Sequence, residues 1–361
     1  MASSTRCLPK TVLVTGANGY IGSAAARAFV RAGWTTYGLI RKASSIPDLA
    51  ADEIIPLLGS ISDPLFLSDL ENKGVVFDVL VSVTEKITDY VPHYSHVVAL
   101  LRTLAEKSNK AGVRPLVLFT SGCKDYGTSP YLANSPDKEP HTELTPLDPP
   151  MFVRDRAYGA LRIFEHEELF DACVLRPTNV YGHDSSFYGL FFKEAEEAKI
   201  KGFWDISEDK ETILHAMHVD DCGEAYVSLA ECERSVTKGK CYNISASRYE
   251  TLDELTQALT KEYGIDGGVR YVEKGQPTPG FDGTNVVKIL MGFNQWVGSE
   301  RLRKDTGWKD RRQLFSEGIH QYRLAYEVAI ERGAGMTQNL SKRAEEEQQK
   351  LTIANASKAS G

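Results

Sequence analysis

The stretch Thr11-Val-Leu-Val-Thr-Gly-Ala-Asn-Gly-Tyr-Ile-Gly22 decides how the rest of the chain is read. A short β-branched run, Thr11 to Val14, passes directly into Gly16, Gly19 and Gly22, and their G-x-x-G-x-x-G spacing opens a helix-like segment from Ile21 to Ala32. Gly16 permits a tight turn, Gly19 lets backbone N–H groups approach a pyrophosphate, and Gly22 allows helix and strand to pack closely. The helix N-terminus then attracts the anion.

Further β-branched, apolar runs lie at Thr35 to Ile40, Glu53 to Leu57, Asp78 to Val83, Leu116 to Thr120 and Cys173 to Leu175, with helical spacing between them, as from Val97 to Ala111. That βαβ rhythm predicts an α/β Rossmann fold with a doubly wound parallel sheet. The expected dinucleotide-binding domain spans residues 10–182, with 215–245 returning to it. After Gly182 the rhythm breaks down, and residues 183–214 and 246–330 mix short helices, aromatics and Gly/Pro turns. They predict a smaller mixed C-terminal lobe that holds the substrate. Residues 331–361 are polar and are expected to form a dispensable tail.

The 361 residues are 42% hydrophobic, enough for a sizeable core. The net charge of -7 is spread along the chain without a Lys/Arg cluster, which argues against a nucleic-acid partner. No run approaches the roughly 18 apolar residues of a membrane span, and Met1 to Lys10 is too short and polar for a secretory signal. A soluble, cytoplasmic protein is expected. The six cysteines form no Cys-x-x-Cys pair, so neither a metal site nor a disulfide framework is expected.

Cofactor preference is read at the end of the second strand, where NAD-binding sheets place an acidic residue against the ribose hydroxyls. Here Ile40 holds that position and Arg41-Lys42 follow. A guanidinium there pairs with a 2′-phosphate, so NADP(H) is the expected cofactor.

The T-G-x-x-G-x-x-G spacing resembles the short-chain dehydrogenase/reductase superfamily. Later motifs resemble its extended branch of epimerases, dehydratases and reductases: Arg176-Pro-Thr-Asn-Val-Tyr-Gly182, His218-Val-Asp-Asp221 and Gly307-Trp308. The resemblance implies cofactor contacts at Gly16, Asn18, Gly19, Tyr20, Ile21, Gly22, Arg41, Ser60, Ile61, Thr84, Arg162 and Pro177. Ser60, in Gly59-Ser-Ile-Ser-Asp63, stands where the family usually has an aspartate facing the adenine. Asp220 and Asp221 are read as caps of a helix beginning near Cys222, and His218 as a scaffold residue.

The family's catalytic pattern is altered. Tyr158-Gly-Ala-Leu-Arg162 keeps the tyrosine of Y-x-x-x-K but replaces the lysine with arginine, which cannot readily relay a proton. In Leu118-Phe-Thr-Ser-Gly-Cys-Lys-Asp-Tyr-Gly127 the commonest catalytic serine position holds Gly122. Ser121 is the better remaining donor, and the G-x-K-x-Y arrangement around Lys124 is similar to the progesterone 5β-reductase and iridoid synthase branch. The expected catalytic set is therefore Tyr158, Ser121, Lys124 and Arg162, with Tyr158 moving the proton. The expected function is NADP(H)-dependent reduction or oxidation of a carbonyl, enone or imine in a small, partly apolar metabolite. Redox-neutral epimerisation or dehydration is one alternative, and a non-catalytic scaffold or sensor that binds the cofactor is another. A homodimer is compatible with all three.

Overall fold

The computed structural model describes residues 10–63, 65–272 and 286–333. The expected tail from residue 334 onward lies outside the described residues.

Strands β1 (Thr11–Thr15), β2 (Thr35–Ile40), β3 (Ile55–Leu58), β4 (Val79–Ser82), β5 (Leu116–Thr120) and β6 (Asp171–Pro177) follow in chain order. Four short strands come next: β7 (Asn179–Tyr181), β8 (Trp204–Ile206), β9 (Ile213–Leu214) and β10 (Ala216–His218). The chain then returns with β11 (Lys240–Ile244). A seven-stranded sheet runs in the order β11-β6-β5-β4-β1-β2-β3, with every neighbouring pair parallel. A parallel sheet must be covered on both faces, which explains the continuous apolar runs.

Helices α1 (Tyr20–Arg31), α2 (Ile46–Ala51), α3 (Phe66–Asn72), α4 (Tyr90–Lys110), α5 (Arg154–Leu161), α6 (Gly189–Lys201) and α7 (Val219–Glu231) follow in chain order. Alternate strand residues face opposite layers. Val12, Val14, Val81 and Leu118 pack with α1 and α7, whereas Leu13, Leu80, Val117 and Val174 pack with α4 and α5. A separate aromatic cluster of Tyr181, Tyr188, Phe191, Phe192, Phe315 and Tyr322 forms the core of the smaller lobe.

One expectation is corrected at α7. This helix starts at Val219, so Asp220 and Asp221 lie in its first turn, and His218 is the N-cap. His218 Nδ1 accepts the Asp220 amide at 3.1 Å. Asp221 instead accepts the backbone amides of Arg311 and Arg312 at 3.2 and 3.0 Å and pairs with the Arg312 guanidinium. Its carboxylate is drawn to donors on a distant segment, which leaves the local cap to the imidazole.

Among the described residues, Cys123, Cys173, Cys222, Cys232 and Cys241 are free thiols, and no helix is long and apolar enough to cross a membrane.

Candidate active site

The strand order fixes the site. β1 lies between β2 and β4, so the chain crosses from one half of the sheet to the other there, and in open α/β sheets ligands bind beyond the carboxyl ends of the strands at such a point. Read across the sheet from β3 to β6, these ends carry Ser60, Arg41, Gly16, Thr84, Ser121 and Pro177. The fold therefore lines up most of the residues singled out in the sequence along one edge.

At the centre, Gly16 has φ +66°, a conformation that favours glycine, and its carbonyl accepts the Gly19 amide at 2.8 Å. A side chain at Gly22 would overlap the Gly16 carbonyl, so α1 approaches the turn as closely as a bare backbone allows. Among the described residues no side chain caps the N-terminus of α1, where the first-turn amides belong to Tyr20, Ile21 and Gly22. Tyr20 donates its hydroxyl to the Gly182 carbonyl, which links this turn to the segment after β7. Ile21 packs against the core, and Asn18 reaches Ser45 Oγ at 3.2 Å.

The flanking positions differ in availability. Arg41 is exposed, and among the described residues it has no ion pair. The Ser60 hydroxyl is engaged locally, accepting the amides of Ser62 and Asp63 at 3.3 and 3.0 Å, while Ile61 packs on the core. Thr84 lies against Gly16 and is hydrogen-bonded to His93. Pro177 ends β6 in register with Ile244.

The four expected catalytic side chains divide into two groups. Lys124 is partly buried, donates to Asn179 Oδ1 at 2.9 Å and sits 4.9 Å from the Phe293 ring centroid. Burial and then the neighbouring Arg156 guanidinium push its ammonium down to about 8. Ser121 is buried and donates at 2.6 Å to Asp125, in the same short turn as Lys124. Tyr158 and Arg162, by contrast, are not joined to this group. The Tyr158 side chain is exposed and donates to the Leu147 carbonyl at 3.3 Å. Arg162 is exposed, pairs with Glu165 at 3.4 Å and lies over the Tyr94 ring. Neither is hydrogen-bonded to Ser121 or Lys124. The residue of α5 that reaches this group is Arg156, two positions before the tyrosine. A helix turns about 100° per residue, so a side chain two positions away points to nearly the opposite side.

Arg156 is buried, with Nη1 2.8 Å from Glu85 Oε1 and Nη2 2.8 Å from Asp125 Oδ1. Asp125 is fully buried and also lies 3.4 Å from Arg176 Nε. Sequence reasoning missed Glu85, Asp125, Arg156 and Asn179. Gly122 was the available signal, because a glycine in place of a side chain leaves space that another group must fill. His183, His218 and Asp220 converge nearby, but Asp220 already faces Arg27 and Arg312, so the cluster reads as an ion-paired scaffold.

Comparison with known proteins agrees with this architecture. The NAD dependent epimerase/dehydratase family matches residues 12–245. UDP-glucose 4-epimerase of Mycolicibacterium smegmatis is 27% identical over 270 residues, covering 70% of this chain and 82% of that protein. A probable UDP-arabinose 4-epimerase of Arabidopsis thaliana is 22% identical over 342 residues, covering 82% of this chain and 80% of its own. Among solved structures, dTDP-glucose 4,6-dehydratase from Bacillus anthracis, in complex with NAD, superposes with a TM-score of 0.64 at 18% identity, covering 89% of this chain and 98% of that one. The family match takes in the glycine turn and all seven strands of the sheet but for Thr11 at the start of β1: this chain belongs to the NAD dependent epimerase/dehydratase family.

Proposed function

We propose that this chain binds a nicotinamide dinucleotide, NADP(H) in preference to NAD(H), and catalyses hydride transfer at a carbon bearing a hydroxyl or carbonyl oxygen in a small molecule. The observation that carries this reading is the closed glycine turn beneath the uncapped N-terminus of α1, flanked by exposed Arg41. The turn suits a pyrophosphate, and the guanidinium suits a 2′-phosphate. Across the strand ends Thr84 lies between this turn and Ser121, and Pro177 lies beyond Ser121. When bound, the nicotinamide supplies or accepts the hydride.

The chain's own part is to hold the reacting oxygen and move its proton. Lys124 fits the proton-moving role better than Tyr158. Its amine is held by Asn179 and pushed down to about 8, so both protonation states are populated near neutrality. In reduction the ammonium donates a proton from Nζ to the developing alkoxide. In oxidation the neutral amine accepts that proton.

A second reading is redox-neutral epimerisation or dehydration, in which the hydride returns to the substrate within one turnover. The named relatives favour it, since two of them are sugar-nucleotide 4-epimerases. Incubation with NADPH and a panel of small carbonyl compounds tests the first reading through net loss of the reduced-nicotinamide absorbance. Net oxidation supports a reductase. Interconversion of UDP-glucose and UDP-galactose without net oxidation supports the epimerase reading. Failure to bind either dinucleotide overturns both.

A further inference from the structure

Where the resembling motif has a serine, this chain has Gly122, and a guanidinium lies directly over it. A side-chain carbon at Gly122 would stand 3.2 Å from Arg156 Nη2 and 3.4 Å from Cζ and Nη1. Those contacts are tight, so a side chain here would require the guanidinium to give by a few tenths of an ångström. Arg156 is also fixed from both sides, by Glu85 after β4 and by Asp125 in the turn after β5. Its Nε is buried without a hydrogen-bond partner among the described residues.

Burying such a cluster is a poor route to stability, because desolvating charged groups offsets much of their attraction. A specific role accounts for it better. We propose that Arg156 is the positioning residue of this site: its guanidinium fills the space that Gly122 leaves and, held by Glu85 and Asp125, fixes the place and charge of the Lys124 amine. The inference rests on the proposed proton-moving role of Lys124.

The geometry makes the coupling local. Asp125 follows Lys124 in one short turn, so the Arg156–Asp125 pair holds the backbone that presents the amine. The groups that act on that amine are Arg156 on α5, Glu85 after β4 and Cys123 beside it, with Asn179 and the Phe293 ring as uncharged contacts. Arg156 favours the neutral amine and Glu85 the ammonium. The two partners of one ion pair thus pull Lys124 in opposite directions.

The test titrates the Lys124 amine directly in the full chain. The pH dependence of its labelling by 1-fluoro-2,4-dinitrobenzene is read by mass spectrometry on the peptide that contains it. The wild-type midpoint is expected near pH 8. Arg156→Gln should move it up by roughly half a pH unit or more, and Glu85→Gln should move it down. Gly122→Ser should move it in the same direction as Arg156→Gln but by less, because the added side chain crowds the guanidinium. An unmoved midpoint in folded Arg156→Gln, or shifts of the same sign in both carboxamide variants, would overturn the proposal. If Arg156→Gln does not fold, Glu85→Gln decides, since Glu85 is partly exposed, and a midpoint that fails to fall is the negative result. Full turnover in Lys124→Met would instead remove the proton-moving role and leave the measured coupling standing, so the two failures are distinguishable.

Discussion

A side chain at Gly22 would overlap the carbonyl oxygen of Gly16, the same oxygen that accepts the Gly19 amide. Gly22→Val should therefore force the first turn of α1 away from β1. The expected result is a loss of about 1–3 kcal/mol in stability, with dinucleotide binding abolished in a calorimetric titration. Gly33→Ala is the control. Unlike Gly22 it sits at positive φ and meets open space, so it should cost about 1 kcal/mol through backbone strain alone and leave cofactor affinity unchanged.

Arg41→Ala should weaken NADPH binding ten-fold or more, corresponding to roughly 1.5–3 kcal/mol for a lost charge-assisted phosphate contact. NADH affinity should stay within about two-fold, since the guanidinium has no 2′-phosphate to meet. Parallel titrations of both cofactors measure the difference. Equal losses for both would assign Arg41 to the general stability of the site.

Lys124→Met should reduce turnover by roughly a hundred-fold or more with cofactor affinity intact, and Tyr158→Phe by less than about ten-fold. The contrast follows from the Lys124 contact with Asn179 and from the exposure of Tyr158. In the reductive direction the rate should fall as pH rises through about 8, where the ammonium is lost; in the oxidative direction it should rise. A severe loss in Tyr158→Phe would return the proton to the tyrosine of the sequence motif.

His215 and His218 should make the fold sensitive to acid. His215 accepts the Val297 amide at Nδ1 and hydrogen-bonds the Ala246 carbonyl through Nε2, so the native ring is neutral. Burial pushes both imidazoles down to about 4. Their folded values lie below the unfolded value, so the unfolded chain binds more protons, and stability present above about pH 6.5 is lost as pH falls toward 4. Each ring contributes up to about 3 kcal/mol to that slope. Urea midpoints measured across this range should fall steeply in the wild type and less steeply in His215→Gln.

The sheet was legible because its signals are local. β2 and β5 run over the residues that their β-branched, apolar pattern marks, Thr35–Ile40 and Leu116–Thr120. Helix α4 begins at Tyr90, well before the expected Val97, because Pro92 falls in its first turn, where the missing N–H is not needed. The cofactor turn was legible for the same reason, since three glycines at fixed spacing act on their own backbone. The Lys124 environment was not. Glu85, Asp125, Arg156 and Asn179 come from four separate segments, and no spacing rule relates them. The Y-x-x-x-R match fixes the order of residues but not which way α5 is rotated, and it is Arg156 that reaches Asp125 while Tyr158 bonds the Leu147 carbonyl.

Helix α1 meets α7 across Gly223, where a side-chain carbon would stand 2.6 Å from the Ala24 carbonyl oxygen. The two backbones meet directly at that point, with Ala24, Ala25, Cys222 and Ala225 packed in the same core around it. The same α7 holds residues 311–312 through Asp221, and α1 presents its first turn to the glycine loop. The segment at 311–312, α7, α1 and the glycine loop are thus joined in one chain of contacts. Natural variation along it should therefore be correlated: a larger residue at 223 requires compensation at 24 or 25, and a chain that changes one alone gives up the fit at both ends.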